Sequence, residues 1–340
     1  MTTSYTLDVQ DAGQLPRQAF EHAYEQGWTD GLPVIPADPV SVAEFVKASG
    51  RDGGEALGVF PPRNGRVTVE TVAVNAIMAG CRPEYMPAVL AAVECMLDPQ
   101  FPLHHMQVTT NSEAPFVLLN GPVRKALDVN SGIGCLGPGW RANATLGRTL
   151  RLMMYTCGGG LPGIYSRSSF ASPLRYTFVC GENEEASPWA PYHVDAGYTA
   201  EQSTVTVFSA STYCLINGSF SSNAEEILRH IATQMPPSGP TDKVLLMLGP
   251  NNARTVADAG LTKADIRRKL WEYARLPAAS FPPAFVEVLS EADRMDGDML
   301  LRCASPDDFV IITAGGPGPY DVYVSAKSPR TRPVGGEHTR

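Results

Sequence analysis

The spacing of apolar positions divides the chain into helical and strand-like segments. Leu15–Gln26 carries an apolar stripe at helical spacing, which GWTDGLPVIP ends with Gly27, Gly31 and Pro33. Ser41–Ser49 predicts a second short helix, with Ser41 as N-cap and Glu44 three residues later completing a capping box. Arg51–Arg66 is rich in Gly and Pro and predicts loop. Thr68–Met78 has Val69, Val72, Ala73, Ala76 and Ile77 on one helical face. Pro87–Met96 is apolar on almost every side, which marks a buried helix. Ala142–Tyr155 reads as a helix ending at the Gly158-Gly159-Gly160 run, and Asn223–Met235 as one that stops before Pro236-Pro237.

Gln107–Thr110, Phe116–Asn120, Tyr176–Cys180 and Thr204–Ala210 predict strands, being rich in β-branched or large apolar residues and bounded by turn formers. Pro236–Thr241 (PPSGPT) is the best boundary between two intimately packed subdomains, 1–240 and 241–329. Beyond it the order is strand (Val244–Leu248), helix (Asn252–Asp258), helix (Thr262–Arg275, with Thr262 as N-cap and Asp265 at N3) and strand (Phe309–Thr313). That order suggests a parallel βαβ-like unit. The expected class is α/β, with mixed α+β the alternative, and 330–340 reads as a frayed polar tail.

Composition narrows the classes. The 340 residues are 44% hydrophobic, with a mean hydropathy of −0.10, as expected for a globular chain with a sizeable core. A net charge of −8 and a pI near 5.3 disfavour nucleic-acid and anionic-membrane partners, which need a basic surface. No stretch of about 18 apolar residues is present to span a membrane. The opening MTTSYTLDVQDAG lacks the basic and apolar regions of a secretory signal. Seven scattered cysteines without a C-x-x-C fit reduced thiols better than a disulfide framework or zinc ribbon, so a cytoplasmic location is expected.

Charged residues are only 18% of the chain, so CGENEEASPWAPYHVDAGY (180–198) stands out at the end of a predicted strand. It gathers Glu182, Asn183, Glu184, Glu185, Trp189 and His193. Carboxylates beside a histidine can serve as general acid and base, because crowding separates their pKa values. The same groups could hold a divalent metal, or cap a helix beginning at Ser187-Pro188. No H-x-x-x-H or H-x-x-E-H spacing supports a metal, and His104-His105 would have to converge on His193 from another segment, so no bound metal or other cofactor is expected. Asn130–Gly147, NSGIGCLGPGWRANATLG, runs from a Gly-rich loop into a helix start. There Arg141, Asn143 and the Gly137 and Gly139 amides could anchor a small anion. Cys135, in the same loop, is either a low-pKa thiolate or a buried small residue. The GGPGP turn (315–319) could admit a ligand or simply reverse the chain.

Several segments resemble a bacterial family whose members share a GWTDGLPV-type opening. The matching pieces are GWTDGLPVIP (27–36), TVAVNAIMAGCRPEYMPAVLAAVECML (71–97), GPGWRANATLGR (137–148), ENEEASPW (182–189) and AGGPG (314–318), in order over most of the chain. Some members are associated with or fused to a small domain carrying a cysteine- or selenocysteine-Gly-Ser-Cys motif, which is absent here. The resemblance implies an enzyme-like protein and adds weight to Glu182, Asn183, Glu185 and Arg141, without assigning catalytic residues.

The leading expectation is therefore an enzyme of lyase or hydrolase type acting on a small anionic organic molecule by proton transfer. Glu182 or Glu185 would be the base, His193 its acid partner, and Arg141 the anion anchor. A thiol-dependent oxidoreductase, or a partner of one, built on Cys135 is the alternative. A non-catalytic binding or oligomer-forming protein is the third reading, and a homodimer would be the expected assembly.

Overall fold

A computed structural model describes residues 12–236, 239 and 242–335. Chain order begins with α1 (Leu15–Glu25), α2 (Pro39–Ser49), the hairpin β1 (Ala56–Phe60) and β2 (Gly65–Thr68), α3 (Val69–Ala79), α4 (Met86–Leu97) and α5 (Leu103–Val108). It continues through β3 (Ala114–Asn120), α6 (Val123–Ala126), α7 (Arg141–Thr156), β4 (Val179–Gly181), α8 (Tyr192–Asp195) and β5 (Thr204–Ile216). Then come α9 (Ala224–Gln234), β6 (Lys243–Leu248), α10 (Pro250–Asp258), α11 (Lys263–Tyr273) and β7 (Arg275–Pro277). The last elements are α12 (Pro283–Glu291), β8 (Met295–Asp296), β9 (Met299–Leu301), β10 (Phe309–Thr313) and β11 (Asp321–Pro333). The class is mixed α+β.

Side-chain caps set four of the helix starts. Thr68 caps α3, Asn223 caps α9, and Thr262 with Asp265 forms a full capping box on α11. For α2 the cap is Asp38, not Ser41. Its carboxylate accepts from the Val40 and Ser41 amides at 2.9 and 3.1 Å, and Pro39 fills the first helical position, where its missing N–H costs nothing. α4 is buried on nearly all sides, as its sequence requires.

Several segments differ from expectation; of the strand expected at Tyr176–Cys180, only Val179 and Cys180 belong to β4. Residues 107–110 do not form a strand; Leu103, Met106 and Gln107 point inward at helical spacing, and α5 covers them. The β-branched run at Val108–Thr110 was the misleading signal. The segment 51–66 is not all loop, because β1 and β2 pair antiparallel across a turn in which Asn64 is left-handed. Gly65 packs there against the Cys157 carbonyl, in space that no Cβ could share.

Six strands form one sheet in the order β10-β6-β11-β5-β3-β4. β6 and β10 are parallel neighbours, Val244 opposite Phe309 through Leu248 opposite Thr313, with α10 and α11 between them in sequence. β11 lies antiparallel between β6 and β5, so strands from both sides of residue 240 share the sheet. The four residues Pro237, Ser238, Pro240 and Thr241 of the expected boundary lie outside the described residues. The expected frayed tail is partly ordered: β11 runs to Pro333, and Arg330 and Arg332 both reach Asp98; 336–340 lie outside the described residues.

The sheet curls until its edge strands meet. The Asn183 N–H after β4 donates to the Thr313 carbonyl ending β10 at 2.8 Å, and the Gly315 N–H donates to the Ser131 carbonyl at 2.9 Å. The enclosed face carries Phe116, Leu118, Cys180, Phe208, Met247, Ile312 and Val324. The outer face packs on α3, α4 and α7 through Val117, Leu119, Val205 and Val207, and on α9, α10 and α11 through Leu246, Leu248 and Ile311. Alternation along each strand thus feeds two separate apolar layers.

Candidate functional site

Glu182 directly follows β4. It shares the parity of Cys180, whose side chain lies in the enclosed cluster, so the carboxyl enters the rim of the curled sheet. It is fully buried. Oε2 accepts from Asn120 Nδ2 at 2.6 Å and from the Tyr192 N–H at 2.7 Å, whereas Oε1 has no partner among the described residues. Burial pushes its pKa up to about 7, opposed by the Lys263 charge and by these hydrogen bonds. His193, next to Tyr192 on α8, is also fully buried, and neither ring nitrogen is partnered among the described residues.

The other two glutamates turn toward a different partner. Arg124, buried at the start of α6, forks onto Glu185 at 3.1 and 3.2 Å, reaches Glu184 at 2.9 Å, and donates to the Glu182 carbonyl at 2.7 Å. This guanidinium, above all, holds the half-exposed Glu185 carboxyl down at about 2. Glu184 also accepts from the Gly121 amide at 2.7 Å and from Asn120. Glu182 and Glu185, although three residues apart, therefore differ by several orders of magnitude in proton affinity.

The remaining expected site residues are dispersed. Arg141 is exposed and donates to the Gly80 and Cys81 carbonyls at 2.8 and 3.2 Å. Gly137 and Gly139 are exposed beside it, and the Gly137 amide is taken by the Gly134 carbonyl. Asn143 is buried on α7. It accepts from the Asn130 amide and donates to the carbonyls of Asn130, Cys135 and Val179, all at 2.8–3.1 Å. Asn183 joins the sheet's edge strands and donates to the Gly315 carbonyl at 3.2 Å. Trp189 packs on the helical layer and donates to the Leu261 carbonyl at 3.0 Å. His104 and His105 are exposed on α5; His105 lies 3.3 Å from Glu113. Among the described residues, no three His, Cys, Asp or Glu side chains form a metal-holding group.

The Gly-rich loop of Cys135 and the GGPGP turn meet in a cleft of about 320 Å³ where the enclosed face of the sheet opens. Cys135, Met247, Gly315, Tyr320, Asp321 and Val322 are among its lining residues. The volume sits at the small end of the roughly 300–1,000 Å³ typical of ligand sites. Exposed Ile133, Leu215 and Tyr320 give it an apolar rim, and no Lys or Arg is among the lining residues. The Cys180 thiol behind Cys135 is the strongest influence on it and lowers its pKa; burial opposes this, and the Gly315 and Leu136 amides assist. The same contact, with burial, pushes Cys180 well up. Asp321 accepts from the Gly249 amide at 2.9 Å and from Asn252 at 2.8 Å, and burial raises its carboxyl to about 6.

Sequence reasoning missed Asn120, Arg124, Lys263, Cys180 and Asp321 as contributors. Asn120 and Asp321 lie at the ends of apolar strands, a place where a polar residue is a usable signal. Arg124 and Lys263 carried none.

Compared with known families and with curated proteins, the chain matches no family model and no curated sequence. No helix among the described residues is long and apolar enough to cross a membrane.

Proposed function

We propose that the protein is an enzyme that holds a small, largely apolar organic molecule in the Cys135 cleft and attacks it with the Cys135 thiolate. The observation that carries this reading is the placement of Cys135: it lines the cleft on a loop fastened to β4, and the neighbouring Cys180 thiol lowers its pKa. The apolar rim and the lack of a lining cation favour an uncharged ligand over the anion expected from Arg141.

Alkylation tests it. In native protein at pH 6, iodoacetamide should modify Cys135 faster than Cys214, the only cysteine that is not buried, as read by peptide mass spectrometry. Equal or slower modification of Cys135 would remove the thiol reading.

A second reading keeps proton-transfer chemistry at Glu182 and His193. It is favoured by one observation: a carboxyl at about 7 whose Oε1 is unpartnered among the described residues, close in the chain to a buried imidazole in the same condition. Under it, a ligand turned over by the wild type would still be turned over by Cys135→Ser and not by Glu182→Gln, the reverse of the first reading.

A further inference from the structure

The loop that carries Cys135 is tied to β4 on both sides of Cys180. Asn143 Nδ2 bridges the Cys135 and Val179 carbonyls, each at 3.1 Å. Two residues further along β4, the Gly181 N–H donates to the Asn130 carbonyl at 3.1 Å. Residues 179 and 181 are thus both fastened to the 130–135 loop, and the residue between them, Cys180, is directed into the enclosed cluster that also contains Cys135. Both thiols are free, and the first lines the cleft while the second is fully buried behind it. Cys135 is 6% exposed at the cleft wall and Cys180 is 0% exposed behind it, an order of access suited to an attacking and a resolving thiol in thiol–disulfide exchange.

We infer that Cys135 and Cys180 form a reversible disulfide and that the cleft exchanges electrons with small uncharged disulfides. The inference rests on Cys135 being the cleft's nucleophile. In the first step the Cys135 thiolate bonds to one sulfur of a disulfide RSSR, and the S–S bond breaks to release RS⁻. In the second, Cys180 gives its proton to that departing thiolate and bonds to the Cys135 sulfur, expelling the second RS⁻, which takes up the proton that Cys135 had lost. Two protein thiols are oxidised by two electrons, and one disulfide is reduced to two RSH. Excess thiol drives the reverse. The burial of Cys180 keeps it from attacking disulfides itself, so the order of the two steps is fixed by access.

The test treats the full, reduced chain with hydroxyethyl disulfide and reads intact mass and a peptide map. Wild type should lose two hydrogens, release two equivalents of hydroxyethanethiol and yield a linked Cys135–Cys180 peptide. Cys180→Ser should stop with one hydroxyethylthio group on Cys135, and Cys135→Ser should show neither product. Cys180→Ala, checked by a melting curve, stands in if the serine is not tolerated in the apolar cluster. A wild type that keeps the mixed disulfide on Cys135 without an internal bridge overturns the resolving role of Cys180 and leaves Cys135 as nucleophile. No modification of Cys135 in either wild type or Cys180→Ser overturns both.

Discussion

Glu182→Gln is expected to make the protein more stable at neutral pH. The carboxyl titrates near its ordinary 4.5 when unfolded and at about 7 when folded. A raised folded pKa contributes stability that is complete below the unfolded value and is lost as pH rises through the folded one. Between about pH 4.5 and 7 the unfolded chain releases this proton while the folded one retains it. The penalty reaches about 3 kcal/mol, at roughly 1.4 kcal/mol for each tenfold change in proton affinity. The group is fully buried, so solvent screening does not reduce it. Glutamine keeps an acceptor oxygen for Asn120 and the Tyr192 amide but has no proton to lose. Asp321, raised to about 6, also favours low pH, yet it is common to both proteins and cancels. Glu185 and Glu225, both held near 2, act only below about pH 4.5, so work above pH 5 avoids them. Urea unfolding at pH 5, 6, 7 and 8 should show the stability difference growing in favour of Glu182→Gln. About 3 kcal/mol corresponds to roughly 4 °C in Tm for a chain of this length. Parallel pH curves for the two proteins would refute the raised pKa.

Two further outcomes follow from the hydrogen bonds on either side of β4. Asn143→Ala removes four bonds with net values of about 0.5–1.5 kcal/mol each, so urea unfolding should show a loss of about 2–6 kcal/mol, and Cys135 alkylation should lose its advantage over Cys214; a loss under about 1 kcal/mol would show that the loop is held otherwise. Arg124→Met leaves Glu184 and Glu185 facing each other without their shared guanidinium and should cost about 3 kcal/mol, the low end for a broken buried pair because Glu185 reaches solvent; Arg124→Lys should recover only part of it, since one ammonium cannot reproduce the fork, and full recovery would count against that geometry.

Much of the fold was legible because its signals are local. The Thr262–Asp265 box, the apolar girth of α4 and the buried runs of β6 and β10 each depend on a few adjacent residues. The parallel βαβ-like pairing of β6 and β10 followed from their order alone. What failed was also local but ambiguous. Val108–Thr110 has strand-like composition, and only the burial of Leu103, Met106 and Gln107 decides for helix. The β1–β2 hairpin hid in a Gly- and Pro-rich stretch, because its turn needs residues of that type.

The candidate chemistry was legible as residues and illegible as groupings. Glu182, Glu184 and Glu185 are neighbours in sequence, yet the first turns inward onto Asn120 while the others turn onto Arg124, some 60 positions away in the chain. One carboxyl is thereby raised and another lowered, and no pattern within ENEE distinguishes them. Cys135 and Cys180 show the converse: 44 positions intervene, and a single asparagine ties the Cys135 carbonyl to that of Val179, the residue before Cys180. Asn143 reads as an anion ligand when its neighbours are Arg141 and two glycines. With all of its contacts on backbone groups, it is a clamp. Curling the sheet brings β4 and the GGPGP turn against this loop, a meeting that no pattern within residues 130–147 announces.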